Sequence, residues 1–274
     1  MRHSGWNDKV AIITGGTSGI GRALAEELAR RGSVVVLTGR NRDRGGAVAE
    51  AIQQAGGRAT FARADVTDAK AVQEAVDDVV QGHGRLDYMF NNAGVGIMGE
   101  VRDMTLEDWD RIIDVNLRGV VHGVAAAYPV MVRQGSGHIV NTASLGGLVP
   151  LPMSAAYATT KYAVVGLSTS LREEAALLGV NVSVACPAVV QTHMFDAATW
   201  LKVDRARIMA AMPDKGISPE ACARSIMRGV EKNHAIILDS RFAKGLRFVD
   251  RFLPVVSARI LGVMTKRLAA ARTE

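Results

Sequence analysis

Thiols are scarce in this chain. Cys186 and Cys222 are the only two cysteines in 274 residues, and their spacing suits neither a metal site nor the disulfide framework of a small secreted domain. Both are expected as reduced thiols in a cytoplasmic protein, and no metal is expected. Long apolar runs are missing too, since nothing approaches the roughly 18 uncharged apolar residues needed to cross a bilayer. Met1 to Lys9 reaches the first strand too soon for a cleavable leader. No internal repeat or low-complexity linker interrupts the chain, and with 48% hydrophobic and 22% charged residues it reads as one well-packed domain.

Charge is placed unevenly. Residues 241–274 hold eight Lys or Arg against two acids and so account for the whole net charge of +6. A basic balance raises nucleic acid as a partner, but a single terminal segment without a recognition motif argues against it.

Short β-branched runs alternate with helical spacing, the pattern of an α/β fold in which helices cover both faces of a doubly wound parallel sheet. Seven strands are predicted, at Val10–Thr14, Val34–Thr38, Ala59–Ala64, Leu86–Asn91, His138–Ser144, Val180–Cys186 and Ala235–Leu238. Helical spacing covers Ile20–Arg31, Arg42–Ala55, Ala69–Gln81, Val115–Arg133, Ala155–Leu178 and Pro219–Lys232. Between Thr192 and Gly216, the residues Met194, Phe195, Trp200, Leu201, Met209 and Met212 suit a mobile apolar flap or a packed surface helix better than a strand. A division at residue 240 sets the α/β domain (1–240) apart from a basic amphipathic extension (241–274). In that extension Phe242, Leu246, Val249 and Leu253 form one stripe. After Pro254, Val256, Ile260, Val263, Met264 and Leu268 form another. Such an extension can cover the active site, pack on a partner subunit, or lie on an anionic membrane through residues 241–272.

The first strand runs into Gly15-Gly16-Thr17-Ser18-Gly19-Ile20-Gly21 and then a helix, so the backbone can turn tightly and present a helix N-terminus to a pyrophosphate. The spacing is not G-x-G-x-x-G, and alone it is weak evidence. The second strand ends Thr38-Gly39-Arg40. A carboxylate there would accept ribose hydroxyls and favour NAD; Arg40, with Arg42 close by, instead offers planar donors to the 2′-phosphate of NADP. NADP(H) is therefore the preferred cofactor, with NAD(H) the alternative. Asp65 follows the third strand and Asn91-Asn92-Ala93-Gly94 closes the fourth, both bordering the same crevice, although Asp65 could cap the next helix and Asn91 could brace neighbouring strands.

Tyr157 and Lys161 stand four residues apart, on one helical face, where a cation would favour the phenolate. Ser144 ends the preceding strand and can hydrogen-bond a substrate oxygen, while Asn116 can hold a water behind Lys161. Singly each has a plain structural explanation: packing, a solvated charge, a turn, a helix defect. Together, in this order, Thr14-Gly15 to Gly21, Asp65, Asn91 to Gly94, Asn116, Ser144, Tyr157 and Lys161 resemble the short-chain dehydrogenase/reductase family from about Lys9 to Leu238.

The resemblance implies a Rossmann fold and a catalytic tetrad of Asn116, Ser144, Tyr157 and Lys161. It further implies cofactor contacts from Gly15, Thr17, Ser18, Gly19, Ile20 and Gly21, from Asp65 and Val66 at adenine, from Asn92, Ala93 and Gly94, and from Pro187, Val190 and Thr192 near the nicotinamide. One departure is Pro187-Ala188, where the family usually has Pro-Gly. A homodimer or homotetramer is implied by the same analogy. Leu145, Leu148, Met153, Val189, Met194 and Phe195 suggest a lipophilic carbonyl or alcohol, such as a steroid, a retinoid, or a long-chain or cyclic ketone, with a carrier-bound 3-oxoacyl group as the enzymatic rival. A cofactor-sensing protein with little turnover is the reading from another class, and its mark, a broken tetrad, is not seen.

Overall fold

Strand residues buried on both sides of a sheet must be apolar without alternation, and Val10–Thr14, buried at every position, is such a run. A computed structural model of the protein describes residues 5–211 and 216–273. The order along the chain is β1 (Val10–Thr14), α1 (Gly19–Arg30), β2 (Val34–Gly39), α2 (Arg42–Gln54), β3 (Arg58–Arg63), α3 (Ala69–His83), β4 (Tyr88–Asn91) and β5 (Ile97–Met98). Then come α4 (Leu106–Ile113), α5 (Gly119–Gln134), β6 (Gly137–Thr142), α6 (Ala155–Ala176), β7 (Val180–Ala185), α7 (Met194–Ala197), β8 (Thr199–Trp200) and α8 (Arg205–Ala211). The last elements are α9 (Pro219–Glu231), β9 (Ile236–Ile237), α10 (Arg241–Phe252) and α11 (Pro254–Ala269).

Seven strands form one sheet in the order β3-β2-β1-β4-β6-β7-β9. Every pair in it is parallel, with Ile12 opposite both Val36 of β2 and Met89 of β4. The period of two along β1 separates two cores. Ala11 and Ile13 pack with Leu24 and Leu28 of α1 and with Ile226 and Met227 of α9. Val10 and Ile12 face the other side, among Val76 of α3, Met131 of α5 and Leu171 of α6. The order reverses at β1, whose neighbours are β2 and β4, and in an open parallel sheet such a switch opens a crevice beyond the carboxyl ends of the strands.

The predicted seven-stranded sheet is present, with shorter ends. The strand expected to reach Ser144 stops at Thr142, and the last is reduced to Ile236–Ile237. Two features differ from expectation. The helix expected from Val115 is preceded by α4, whose start is a capping box between Thr105 and Asp108, and a π-helical turn, Asp114–Arg118, joins α4 to α5. The segment after Thr192 holds the short strand β8, paired with β5, where no strand was expected. It also holds α8, whose Ile208 is completely buried, so it is packed rather than a loose flap. Met212 lies outside the described residues. Pairing with Ile97–Met98, remote in sequence, outweighs the weak local preference of a two-residue strand.

Helix α5 passes so close to β4 that a Cβ at Gly123 would collide with Asn91 Oδ1, the residue whose Nδ2 donates to Asn141 Oδ1 at 2.8 Å and ties β4 to β6. Asn91 is thus a brace. Gly166, on α6, has nothing within 4 Å of its Cβ position. Gly123→Ala is expected to lower unfolding free energy by about 1–3 kcal/mol, and Gly166→Ala to raise it by up to about 1 kcal/mol. Urea unfolding of the two variants checks the contrast.

Candidate active site

The turn between β1 and α1 brings backbone where side chains would not fit. Gly15 has φ +64°, and a Cβ there would stand 2.9 Å from Ala93 Cα; Gly19 has φ +51°, and its Cβ would meet the Thr192 methyl at 3.1 Å. The first turn of α1 therefore lies between the ends of β1 and β4 and the segment after β7. Its N-cap residue, Ser18, makes no side-chain capping bond. A cradle that only backbone can line, closed by a helix N-terminus, suits a dinucleotide pyrophosphate, so Gly15, Thr17, Ser18, Gly19, Ile20 and Gly21 fit the cofactor expected of them. Thr14, absent from the expected contacts, holds the cradle open: its Oγ1 accepts from Asn92 N at 2.9 Å and from Ala93 N at 3.1 Å.

Around the adenosine side, Arg40 is exposed and, among the described residues, in no ion pair. Asn41 caps α2 by accepting from Arg44 N, which leaves Arg40 just outside the helix. Asp43 supplies the acid of the first turn and offsets the cations there. Asp65 folds back on Thr67, accepting from its N at 3.0 Å and its Oγ1 at 2.9 Å. It does not cap α3; Asp68 does, through Lys70 N and Ala71 N. Val66 is buried, and its carbonyl lies 2.8 Å from His122 Nδ1.

The expected tetrad converges from three elements. Tyr157 stands in the first turn of α6, half-buried. One turn on, Lys161 is 2% exposed; its Nζ donates to the Thr142 carbonyl at 2.9 Å and lies 5.6 Å from the Tyr157 ring centroid. Ser144, two residues beyond β6, accepts from Gly146 N at 3.1 Å and donates weakly to Pro187 O at 3.5 Å. Asn116 sits in the π-helical turn, where its amide pairs with the backbone of Val95: Oδ1 accepts from Val95 N at 2.8 Å and Nδ2 donates to Val95 O at 2.9 Å. A Cβ at Gly94 would be 3.2 Å from Asn116 Oδ1 and 3.6 Å from Lys161 Nζ, so Gly94 keeps the floor of the site clear. Val95, Thr142 and Thr160 were not foreseen. The first two act through main-chain groups, which no side-chain pattern signals. Thr160 Oγ1 donates to Tyr157 O at 2.8 Å and accepts from Asn116 Nδ2 at 3.4 Å.

Burial governs the electrostatics. Desolvation pushes the Lys161 ammonium down to about 8. The same burial pushes the Tyr157 phenol up, against a lowering hydrogen bond from Ser144. The expectation that the neighbouring cation sets the phenol is therefore corrected: desolvation is the larger effect on both groups.

The expected substrate contacts divide. Leu145 is buried against Val149 and Ala243, and Met153, held at φ +61°, is buried among Val203, Ile208 and Leu268. Both support the wall rather than line it. Val189, Met194 and Phe195 stay half-buried, and Phe195 O accepts from Trp200 Nε1 at 3.1 Å. Pro187 is buried, its carbonyl accepting from Leu145 N at 2.7 Å. The Val190 side chain belongs to the main core, and its backbone bridges to Ile217. No group of three or more His, Cys, Asp or Glu able to hold a metal is found among the described residues.

Comparison with known proteins agrees with this geometry. The short chain dehydrogenase family profile matches residues 9–200. A Mycobacterium tuberculosis protein named as the oxidoreductase SadH is 36% identical over 273 residues, covering 98% of this chain and 96% of its own. An uncharacterized oxidoreductase of Staphylococcus epidermidis is 38% identical over 193 residues, 70% of this chain and 83% of its own. Among solved structures, a short chain dehydrogenase/reductase from Burkholderia phymatum in complex with NAD superposes with TM-score 0.81 at 30% identity, over 89% of this chain and 93% of that one. A metagenomic short-chain oxidoreductase in complex with NADP gives 0.69 at 32%, over 82% and 91%.

The depressed Lys161 has a consequence for stability. Its folded value of about 8 lies below the ordinary 10.5, so between those values the unfolded chain binds more protons and stability rises with pH. Below about 8 the full cost of burying the charge is present. Lys161→Met is expected to be more stable than the parent at pH 7 and to lose this part of the rise towards pH 10. Urea midpoints across that range give the comparison.

Proposed function

The chain belongs to the short-chain dehydrogenase/reductase family, and from this we propose that it is an NADP(H)-dependent enzyme interconverting a lipophilic carbonyl compound and its alcohol. The observation that carries the reading is the meeting of Tyr157, Ser144 and buried Lys161 at the crevice where β1 and β4 part. NADP(H), when bound, supplies or takes up the hydride at the substrate carbon. Gly15 to Gly21, Asn92, Ala93, Gly94, Pro187, Val190 and Thr192 are the residues to hold it, with Asp65 and Val66 at the adenine and Lys161 at the nicotinamide ribose.

In the reducing direction Tyr157 gives its phenolic proton to the carbonyl oxygen, and Ser144 turns its weakly engaged hydroxyl to the same oxygen. In the oxidising direction Tyr157 takes that proton back. Burial makes the free phenol a weak acid, which favours holding the proton until negative charge develops on the substrate oxygen. Charged Lys161 then stabilises the phenolate that is left. Asn116 fixes the Val95 backbone beside them. An apolar substrate suits the half-buried Met98, Trp200 and Met264 beside Met153, together with Val189, Met194 and Phe195. The assembly proposed is a homodimer or homotetramer.

Removing the transferable proton while keeping the ring is the direct test. Tyr157→Phe is expected to lower turnover by at least about 100-fold with NADPH binding nearly unchanged, measured by NADPH oxidation against a panel of steroid, retinoid, cyclic and 3-oxoacyl ketones. Near-parental turnover in the variant would remove Tyr157 from the chemistry.

Arg40 carries the cofactor preference. Its exposed guanidinium is in no ion pair among the described residues, and Gly39 offers no carboxylate to a ribose diol; a Cβ there would already press on the Thr17 methyl at 3.1 Å. NADPH should bind more tightly than NADH. Arg40→Ala is expected to weaken NADPH by about 10- to 100-fold and to leave NADH within about threefold. Calorimetric titration of both dinucleotides reads the difference, and equal affinities in the parent would overturn the preference.

A further inference from the structure

Helices α10 and α11 form a hairpin whose inner side is satisfied and whose outer side is not. Inward, Ala243 is fully buried beside Leu145 and Val149, with Leu246 packed on them, and Leu268 is buried with Met153, Val203 and Ile208. The hairpin thus seats on the two segments that support the substrate wall. The stripes expected from sequence are displaced. Phe242 and Leu253 of the first, and Val256, Ile260 and Val263 of the second, are exposed, while Ala243 and Ser257 take the inward positions. Apolar surface therefore remains on the outside after the hairpin has packed.

That surface is concentrated at the corner. Phe248 and Phe252 lie tilted against each other with ring centroids 5.0 Å apart and are 58% and 65% exposed, beside Leu253, Val255 at 66% and Val256. Single exposed apolar residues are ordinary, but a contiguous aromatic and aliphatic group marks an interaction site. Cations lie along the same hairpin. Arg251 and Arg259 stand nearest the corner in sequence and Arg241, Lys244, Lys266 and Arg267 farther along the two helices, all six exposed and in no ion pair among the described residues, while half-buried Arg247 acts inward on Cys186. The acid of the hairpin, Asp250, turns to the buried Ser257 hydroxyl at 2.7 Å and closes the corner from inside. Arg272 is occupied elsewhere, with Glu100 at 2.7 Å and Asp103 at 2.8 Å, which fixes the end of α11 to the body of the protein.

We propose that the α10–α11 hairpin is a docking surface for an anionic lipid membrane, with Phe248, Phe252, Leu253, Val255 and Val256 entering the interface and the exposed cations of the hairpin lying at the level of the acidic headgroups. Charge complementarity decides the occupant. Across a two-fold axis the same patch would meet itself, setting exposed Arg251 and Arg259 against the cations of the other copy with Asp250 already engaged. An acidic headgroup layer answers that charge, and its acyl boundary accepts the aromatic corner. No helix among the described residues is long and apolar enough to cross a membrane, so the contact is at the surface. Docking there would also bring the segments that carry Leu145 and Met153 close to the lipid.

Co-sedimentation of the full chain with sucrose-loaded vesicles tests this. Vesicles of phosphatidylcholine with about 30% phosphatidylserine should bind the protein at least about 10-fold better than phosphatidylcholine alone, with release near 0.5 M NaCl. Arg251→Glu/Arg259→Glu should lower binding to the anionic vesicles by more than about 20-fold. Phe252→Ser/Val255→Ser should lower it severalfold, at unchanged melting temperature because these side chains are exposed. Equal binding to neutral and anionic vesicles, or anionic binding that neither variant reduces, would overturn the proposal. So would an oligomer that dissociates in Phe252→Ser/Val255→Ser while the parent fails to sediment with any vesicle, which would assign the corner to a second copy of the chain.

Discussion

The hydroxyl of Thr14 accepts from two successive backbone N–H groups, those of Asn92 and Ala93, and so holds the ends of β1 and β4 together just beyond the sheet. Parallel strands diverge where helices enter on opposite faces, and without a tie the two loops would separate. With it, Gly15 is held against Ala93, α1 starts at a defined distance from the fourth strand, and Gly94 is carried to Asn116 and Lys161. Cofactor cradle and catalytic floor are thereby two sides of one junction.

The second constraint is dryness. Lys161 is withdrawn from water and donates to the Thr142 carbonyl, its one acceptor among the described residues. Burial then acts in opposite senses on the two titrating groups, lowering the ammonium and raising the phenol, so each favours its neutral form. A pair poised in this way responds strongly to any charge that develops on a nearby oxygen. Cys186, next to the site in space, is pushed up to about 12 by the same burial and stays a neutral thiol.

Much of this could be seen in the sequence, for definite reasons. Glycines at 15 and 21 are demanded by close backbone and at 19 by a positive φ beside the Thr192 side chain, and all are visible as letters; the four-residue step from Tyr157 to Lys161 is helical geometry, and buried parallel strands read as apolar runs. The less visible parts depend on main-chain groups or on distant partners. Val95 and Thr142 contribute only backbone atoms. The β5–β8 pairing joins residues about a hundred positions apart, and two apolar pairs have no period to detect. The inward face of α10 is set by Ala243, whose small side chain lets the helix approach the Leu145 segment; a hydrophobicity pattern gives more weight to Phe242, which stays outside. Arg40 follows β2 and Asp65 follows β3 in equivalent places, yet the structure engages only Asp65, in a local turn.

The π-helical turn at Asp114–Arg118 makes this region sensitive to chain length as well as to composition. Such a turn accommodates one residue more than the α-helix it interrupts, and one residue is worth about 100° of helical rotation. Deleting a single residue there would remove the extra residue and let α4 run into α5 as one regular helix, taking away the local widening that presents Asn116. The amide of Asn116 would then leave the Val95 backbone, while Ile112, before the turn, would keep its cluster with Ile97 and Ala156. Change by insertion or deletion is therefore closed to this stretch, although several of its side chains are exposed enough to be replaced.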